Sequence, residues 1–570
     1  QQLRNKLNEL GYNIGELDYI NIDNLPLDVF SMDLFSADEL LNQGSSLVFY
    51  NGFDYLGNKS NDLISFNDFF TQEENGIKTR PIDGFRPVYT AGYIQDRFNF
   101  NDIVFRVGVR VDRYDANRKV LTDKYSLYDV YSTSEVDGAY NPNGAHPGNI
   151  GEDYVVYVDD FNSPSPTILG YRDEDTWYNA DGQEVADPNV IAVTSSTGTI
   201  TPYVVDPDAD IKDDNYDPNS SFEDYTPQIT IMPRIAFSFP ISKQQDREAL
   251  FFAHYDILTQ RPPTGTSTTP ADYYFFLENA GALLDNPDLK PEKTIDYQVG
   301  FQQQLNSSSV IKISAFYKEL RDMIQIVNVP YAYPLTYTTY GNIDFGTVKG
   351  LSISYDIARR TRNLKLSTSY TLQFADGTGS SATSQVNLVG AGQPNLRTII
   401  PLSYDSRHSL KLVLDYRFED PDGSQPTWLD NAGLNVTFNA RSGEPYTRQA
   451  NATPTAQFGV QNRSTLDGAI NGSRLPWHYR TDIKLDKAFY FGLGKNDRPI
   501  SMDVYVWVQN LLDAENIIAV YGYTGNALDD GYLTSAEGVE AISAQVDPAS
   551  FSDLYTVKMM NPDNYSIPRR

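Results

Sequence analysis

The chain has 570 residues, 45 basic against 75 acidic side chains, a formal net charge of -30 and no cysteine. The missing cysteines exclude a disulfide framework, a thiolate metal site and a cysteine nucleophile. The acidity argues against nucleic acid, which needs a basic patch, and against simple attraction to an anionic membrane surface. Forty tyrosines and 29 phenylalanines suit membrane-interface girdles and exposed recognition loops. The four histidines (His146, His254, His408, His478) show no metal-binding spacing. No apolar run is long enough for a transmembrane helix, which leaves barrel strands open. The chain begins Gln1-Gln-Leu-Arg-Asn-Lys without a signal peptide, as expected of a processed chain or part of a longer one.

Residues 1–85 mix short amphipathic pieces with loops and read as an extracellular loop region or a preceding barrel segment. Within them Ser36-Ala-Asp-Glu-Leu-Leu-Asn42 predicts a short helix, with Ser36 as N-cap and Glu39 completing a capping box. From Val88 onward, strands are predicted over 88–99, 102–114, 229–239, 249–259, 294–305, 309–319, 347–358, 363–374, 409–418, 433–442, 479–491 and 500–511. Ile103, Phe105, Val107, Val109 and Val111 share one face, opposite Val104, Arg106, Gly108, Arg110 and Asp112. Ile500, Met502, Val504, Val506 and Val508 repeat the pattern, opposite Ser501, Asp503, Tyr505, Trp507 and Gln509. The strand at 249–259 alternates less cleanly, with Leu250 and Phe252 on its polar side.

Short connections alternate with long ones. Asn99–Asp102, Asn306–Ser309, Arg359–Asn363, Pro240–Glu248 and Gly492–Pro499 are short, Phe418–Gly433 is longer, and Asp115–Gln228 is the longest of all. A soluble sandwich has no reason to keep long loops on one side, whereas an outer-membrane barrel does. The fold class read from this pattern is all-β: about twelve strands of a transmembrane antiparallel β-barrel wall over residues 86–570, with long acidic extracellular loops.

Few residues suggest chemistry. There is no GxSxG, P-loop or GxGxxG after a strand, and carboxylate pairs such as Asp159-Asp160 read as loop hydration, so no enzyme is expected. Trp177 and Tyr178 are candidates for an aromatic platform under a sugar or peptide, with a packed loop core as the alternative. Asp206, Asp208 and Asp210 resemble the start of a calcium loop. Ile211 stands where the sharp-turn glycine belongs and Asp217 where a bidentate glutamate is usual, so a solvated acidic turn is the competing reading and no cofactor is expected. Arg106, Arg110, Lys312, Lys365, Lys411 and Arg417 lie on polar strand faces and would line a lumen or pair across strands. His254 falls on the same side, as a wall residue.

Asn286-Pro-Asp-Leu-Lys-Pro-Glu-Lys-Thr-Ile-Asp-Tyr-Gln-Val-Gly300 resembles the "NPxLKPExTxxYExG" segment in the barrel of TonB-dependent outer-membrane receptors. Gly341-Asn-Ile-Asp-Phe-Gly-Thr-Val-Lys-Gly-Leu351 is similar to the family's "GxVxGxE" segment, with Ser352 replacing the acid. Ala91-Gly-Tyr-Ile-Gln-Asp-Arg97, Ser442-Gly-Glu-Pro-Tyr-Thr447 and Val508-Gln-Asn-Leu-Leu-Asp513 resemble three further pieces, in the family's order. The resemblance implies a 22-stranded barrel closed by an N-terminal plug and energised through TonB. Neither a plug nor an aromatic-ended last strand is found here. Strand parity then expects nine strands before residue 88 and one after Arg570, supplied by missing segments or by partner chains.

The function expected is import of a scarce or large nutrient across the outer membrane of a Gram-negative cell. Peptide, oligosaccharide and chelate are the candidate cargoes, bound at the outer loops and released inward by plug movement. TonB is the expected partner, and a surface lipoprotein lid is left open. The alternative from a different class is a secreted or surface all-β binding protein, a glycan-binding module or adhesin.

Overall fold

The alternation of apolar and polar side chains builds one large antiparallel sheet. The computed structural model describes residues 2–570 apart from 47, 61–62, 75, 245–246, 360–362, 419–426, 457–463 and 493–498. Its wall strands are β1 (Val88–Phe100), β2 (Ile103–Asp115), β3 (Gln228–Gln244), β4 (Arg247–Gln260), β5 (Glu292–Asn306) and β6 (Ser309–Val329). They continue as β7 (Tyr337–Ile357), β8 (Leu364–Gly377), β9 (His408–Phe418), β10 (Ala432–Arg441), β11 (His478–Gly492) and β12 (Pro499–Val508). Each pairs antiparallel with the next in sequence, and β1 and β12 end the path.

Each expected strand has its counterpart, with one substantial difference. β6 and β7 run well past residues 319 and 347, so most of the connection expected between them is itself strand. Their register shifts between Leu320 and Met323 and again before Ile324, and the hairpin continues beyond the bulge. Asn101 turns the β1–β2 hairpin in the left-handed region (φ 54°), and Asn306 Oδ1 accepts from Ser308 in the β5–β6 turn. The turns expected at 240–248, 359–363 and 492–499 include 245–246, 360–362 and 493–498, and Phe418–Gly433 includes 419–426; those residues lie outside the described ones.

The apolar face of the wall is not covered. Ile231, Val299, Leu485 and Val506 are 63, 49, 50 and 60 % exposed. The buried core lies instead among the N-terminal segment and the long connections. Leu41, Phe69, Phe70 and Ile82 pack with Leu127, Ile211, Phe222 and Tyr273. The 115–228 connection folds its own five-stranded sheet, in the order 201–202, 155–158, 168–173, 176–179 and 184–185. Tyr157, Ile168 and Tyr171 are fully buried around it. The helix Ala37–Leu41 carries the capping box formed by Ser36 and Glu39.

Aromatic rings mark both ends of the exposed apolar face. Towards the short turns, Phe98 stacks on Phe105 at 5.3 Å, Phe239 meets Phe251 at 5.4 Å, and Tyr416 meets Phe418 at 4.9 Å. Towards the long loops, Tyr255 and Tyr297 lie 5.1 Å apart, and Tyr297 and Tyr317 6.1 Å. Farther round, Tyr370, His408, Trp477 and Tyr479 form a continuous stack. An apolar band between two aromatic girdles is the outer surface of a membrane barrel.

Candidate functional site

Period two sends every second wall side chain to the polar face, where strand pairing sets charges beside one another. Arg234, Asp256, Asp296 and Lys318 occupy one lateral row across β3–β6. Arg234 Nε lies 3.2 Å from Asp256 Oδ1, and Lys318 Nζ 3.2 Å from Asp296 Oδ2. His254 places Nε2 3.9 Å from Oδ2 of each acid. The two inward carboxylates are thus flanked by bases, the arrangement that makes neighbouring like charges tolerable. Two phenylalanines on the polar face, Phe252 and Phe316, also have a place here. A Cβ at Gly300 or Gly350 would collide with the ring of Phe252 or Phe316, so the glycines make room for the rings. Lys312 Nζ sits 4.7 Å from the Phe252 ring centre. A cavity of about 510 Å³ opens on this face, lined by Asp296, Gln298, Lys312, Lys318, Ser354 and Gln373.

A second cavity, of about 610 Å³, lies between the long-loop ends of β9–β11 and the chain after β12. Register brings Ser409, Arg441 and His478 into one row and Lys411, Asn439 and Arg480 into the next. Arg441 Nη1 is 3.0 Å from Glu444, and Arg480 Nε 2.8 Å from Asp482. Lys411 shows no ion pair among the described residues. His478 is buried; its Nδ1 accepts from Arg441 Nε (3.3 Å) and its Nε2 meets the Ile517 carbonyl at 2.6 Å, so Nε2 carries the proton. Tyr565, Ser566 and Ile567 close the cavity from the far side. A wall of guanidinium, ammonium, amide and hydroxyl donors suits a hydrogen-bonding or anionic solute.

The residues singled out from sequence fall elsewhere. Trp177 is 4 % exposed, its ring enclosed by Tyr125 (5.5 Å, edge-on), Tyr157 (4.7 Å) and Tyr331. This is the packed-core alternative. Tyr178 is half-buried and stacks on Tyr154 at 5.4 Å. Beside Trp177, Arg172 sits 4.3 Å from the Tyr125 ring and pairs with Asp123. Burial pushes the Tyr125 hydroxyl well above its ordinary range, reinforced by Asp175. Burial opposes ionisation of Asp175 too, but Lys124 (2.7 Å), the Tyr125 hydroxyl (2.9 Å) and Arg172 outweigh it and hold that carboxyl low. Asp206, Asp208 and Asp210 are exposed; Asp206 accepts from the Asp208 N–H and Asp210 from the Lys212 N–H. Among the described residues no three His, Asp or Glu side chains converge as metal ligands.

The recurring segments act as anchors. Lys290 N–H donates to Asn342 Oδ1 (2.8 Å) and Asn342 Nδ2 returns to the Lys290 carbonyl (2.9 Å), locking the 286–300 segment to the 341–351 segment. Leu289 is buried between them. Asn510, at φ 50°, is buried and bonds Ala514 in both directions. His478 and Arg480 were not singled out in the sequence. Their only signal was a polar-face position, and only strand register reveals the neighbours.

The family model for "TonB dependent receptor-like, beta-barrel" matches residues 151–511. No curated protein sequence matches. Among solved structures, the ferric-catecholate import receptor Fiu of E. coli K12 is 13 % identical, over 77 % of this chain and 42 % of that one, with a TM-score of 0.36. The FrpB iron transporter of Neisseria meningitidis is 10 % identical, over 75 % and 42 %, with a TM-score of 0.36. The ferric yersiniabactin uptake receptor FyuA of Yersinia pestis is 10 % identical, over 76 % and 42 %, with a TM-score of 0.33. The chain spans about two fifths of the length of these structures.

Proposed function

The chain belongs to the TonB dependent receptor-like β-barrel family, and on that premise we propose that it supplies wall and outer loops to an energised outer-membrane importer. The observation that carries this reading is the exposed apolar face bounded by aromatic girdles, set against a charged opposite face. In water that face would leave a large apolar surface uncovered, as soluble monomers do not; in a bilayer it is solvated by lipid. A secreted binding module has no use for it. The mechanism is binding and conformational change rather than bond chemistry.

In this reading the long loops face outward and the folded 115–228 region stands over the entrance. The cavity between β9–β11 and residues 565–567 is the first docking place for cargo. Its donors suit a peptide, an oligosaccharide or an anionic chelate. A plug moved through TonB would open the lumen, with a surface lipoprotein as a further partner. The test is genetic. In the source bacterium, deleting this gene and inactivating TonB should impair growth on the same limiting nutrients, without additive effect. A growth defect independent of TonB would contradict the proposal.

A further inference from the structure

One lateral row divides the apolar face into two chemistries. Tyr255, Tyr297, Tyr317 and Lys349 lie side by side across β4–β7, with Phe374 opposite Lys349 on β8. On the short-turn side of this row the same face carries Val299, Ala315, Leu351 and Leu372, then Phe301, Ile313, Ile353 and Tyr370. On the long-loop side it carries charge. Lys293 pairs in register with Arg321, which holds Glu319 at 3.0 Å. Arg407 sits 5.3 Å from the Phe374 ring, and Arg397 5.8 Å from the ring of Phe345. Lys293 and Lys349 have no ion pair among the described residues.

In a chain of net charge -30, these five cations share one rim with Glu319 and Asp376, while Arg397 lies 3.9 Å from Asp344 and Arg407 3.5 Å from Asp405; Lys293 and Lys349 leave the rim locally basic. Its height is that of lipid headgroups, because hydrocarbon-facing side chains begin one residue pair below. Cations held over aromatic rings at this level attract phosphate, each worth roughly fivefold in binding. We propose that the rim formed by Lys293, Arg321, Lys349, Arg397 and Arg407 is a binding site for the phosphate groups of an outer-leaflet glycolipid. The long loops above it are acidic and repel the same phosphates, which confines the lipid to the rim. The inference rests on the long loops facing outward.

The test uses the whole protein in phosphatidylcholine nanodiscs doped with bisphosphorylated lipid A or with its dephosphorylated form. Native mass spectrometry then reads retained lipid. The wild type should retain the bisphosphorylated form selectively, with retention falling as salt rises. The K293Q/K349Q/R407Q variant should lose it on the order of a hundredfold at low salt. The charge-keeping K293R/K349R/R407K variant should retain it, as should K487Q, whose cation lies at the other end of the wall. Equal retention of the dephosphorylated form, no salt dependence in the wild type, or an equal loss in K487Q would overturn the proposal. Orientation is read separately. The chain lacks cysteine, so Asn162→Cys should react with a membrane-impermeant maleimide on intact cells. Failure there would contradict the outward placement of the loops, whatever the lipid result.

Discussion

Lys349 stands directly across the β6–β7 pairing from Tyr317, on the apolar face of the wall. Ala315 and Leu351 lie on one side of this pair and Glu319 and Thr347 on the other. A single row thus separates side chains that suit hydrocarbon from side chains that suit a headgroup layer.

The two faces of β7 should tolerate arginine very differently. Ile353→Arg, in the middle of the apolar band, is expected to cost about 2–4 kcal/mol of folding free energy, whereas Ser354→Arg on the polar face should cost little. Urea titration of the protein folded into bilayers measures both. Equal penalties would mean that the apolar face does not meet lipid.

Trp177 is expected to be structural. Trp177→Ala should destabilise the 115–228 region by about 3–5 kcal/mol, through lost contacts and an unfilled cavity. Limited proteolysis would show earlier cleavage between residues 115 and 228, with the wall strands unaffected. Retained protection together with loss of ligand binding would restore the platform reading.

The same region should respond to acid through Asp175. Its carboxyl is held below the ordinary value, so the fold gains from its ionisation at neutral pH. That gain is lost as pH falls below about 3.9 and through the depressed native value. Protease protection of the 115–228 region should therefore weaken on acidification, and Asp175→Asn should remove part of that dependence while weakening the region at neutral pH. An unchanged profile in the variant would count against the Lys124, Tyr125 and Arg172 contacts.

His478 ties the wall to the chain after β12 through Ile517. His478→Ala should release that segment locally, raising hydrogen exchange around 516–519 about tenfold, as expected for one lost hydrogen bond of about 1.4 kcal/mol. Exchange in β9 and β10 should not change. A uniform rise across the wall would indicate global destabilisation instead.

The wall was legible in the sequence because its signal is local. Period two in Ile103–Val111 or Ile500–Val508 requires only the chain itself, and the Ser36 and Glu39 capping box is likewise local. The upper halves of β6 and β7 were not legible. There Leu320, Arg321 and Asp322 interrupt alternation at a bulge, and above it both faces meet protein, as the buried Gln325 shows by bonding Asp344 and Ser384. The small sheet around Tyr157 and Trp177 was hidden because its strands are short and their partners lie across an irregular loop. The cavity around Arg441, His478 and Arg480 depends on register between strands that sequence alone does not align.

The most direct measurement is spin-label accessibility along β6. Single cysteines at residues 311 to 318 of the whole protein, reconstituted in lipid bilayers, would be tested against oxygen and against a water-soluble nickel chelate. Contact should alternate: oxygen at Ile311, Ile313, Ala315 and Tyr317, and nickel at Lys312, Ser314, Phe316 and Lys318, with oxygen contact ending at Glu319. Nickel contact at both sets of positions, or oxygen contact continuing past Arg321, would contradict this placement of the faces.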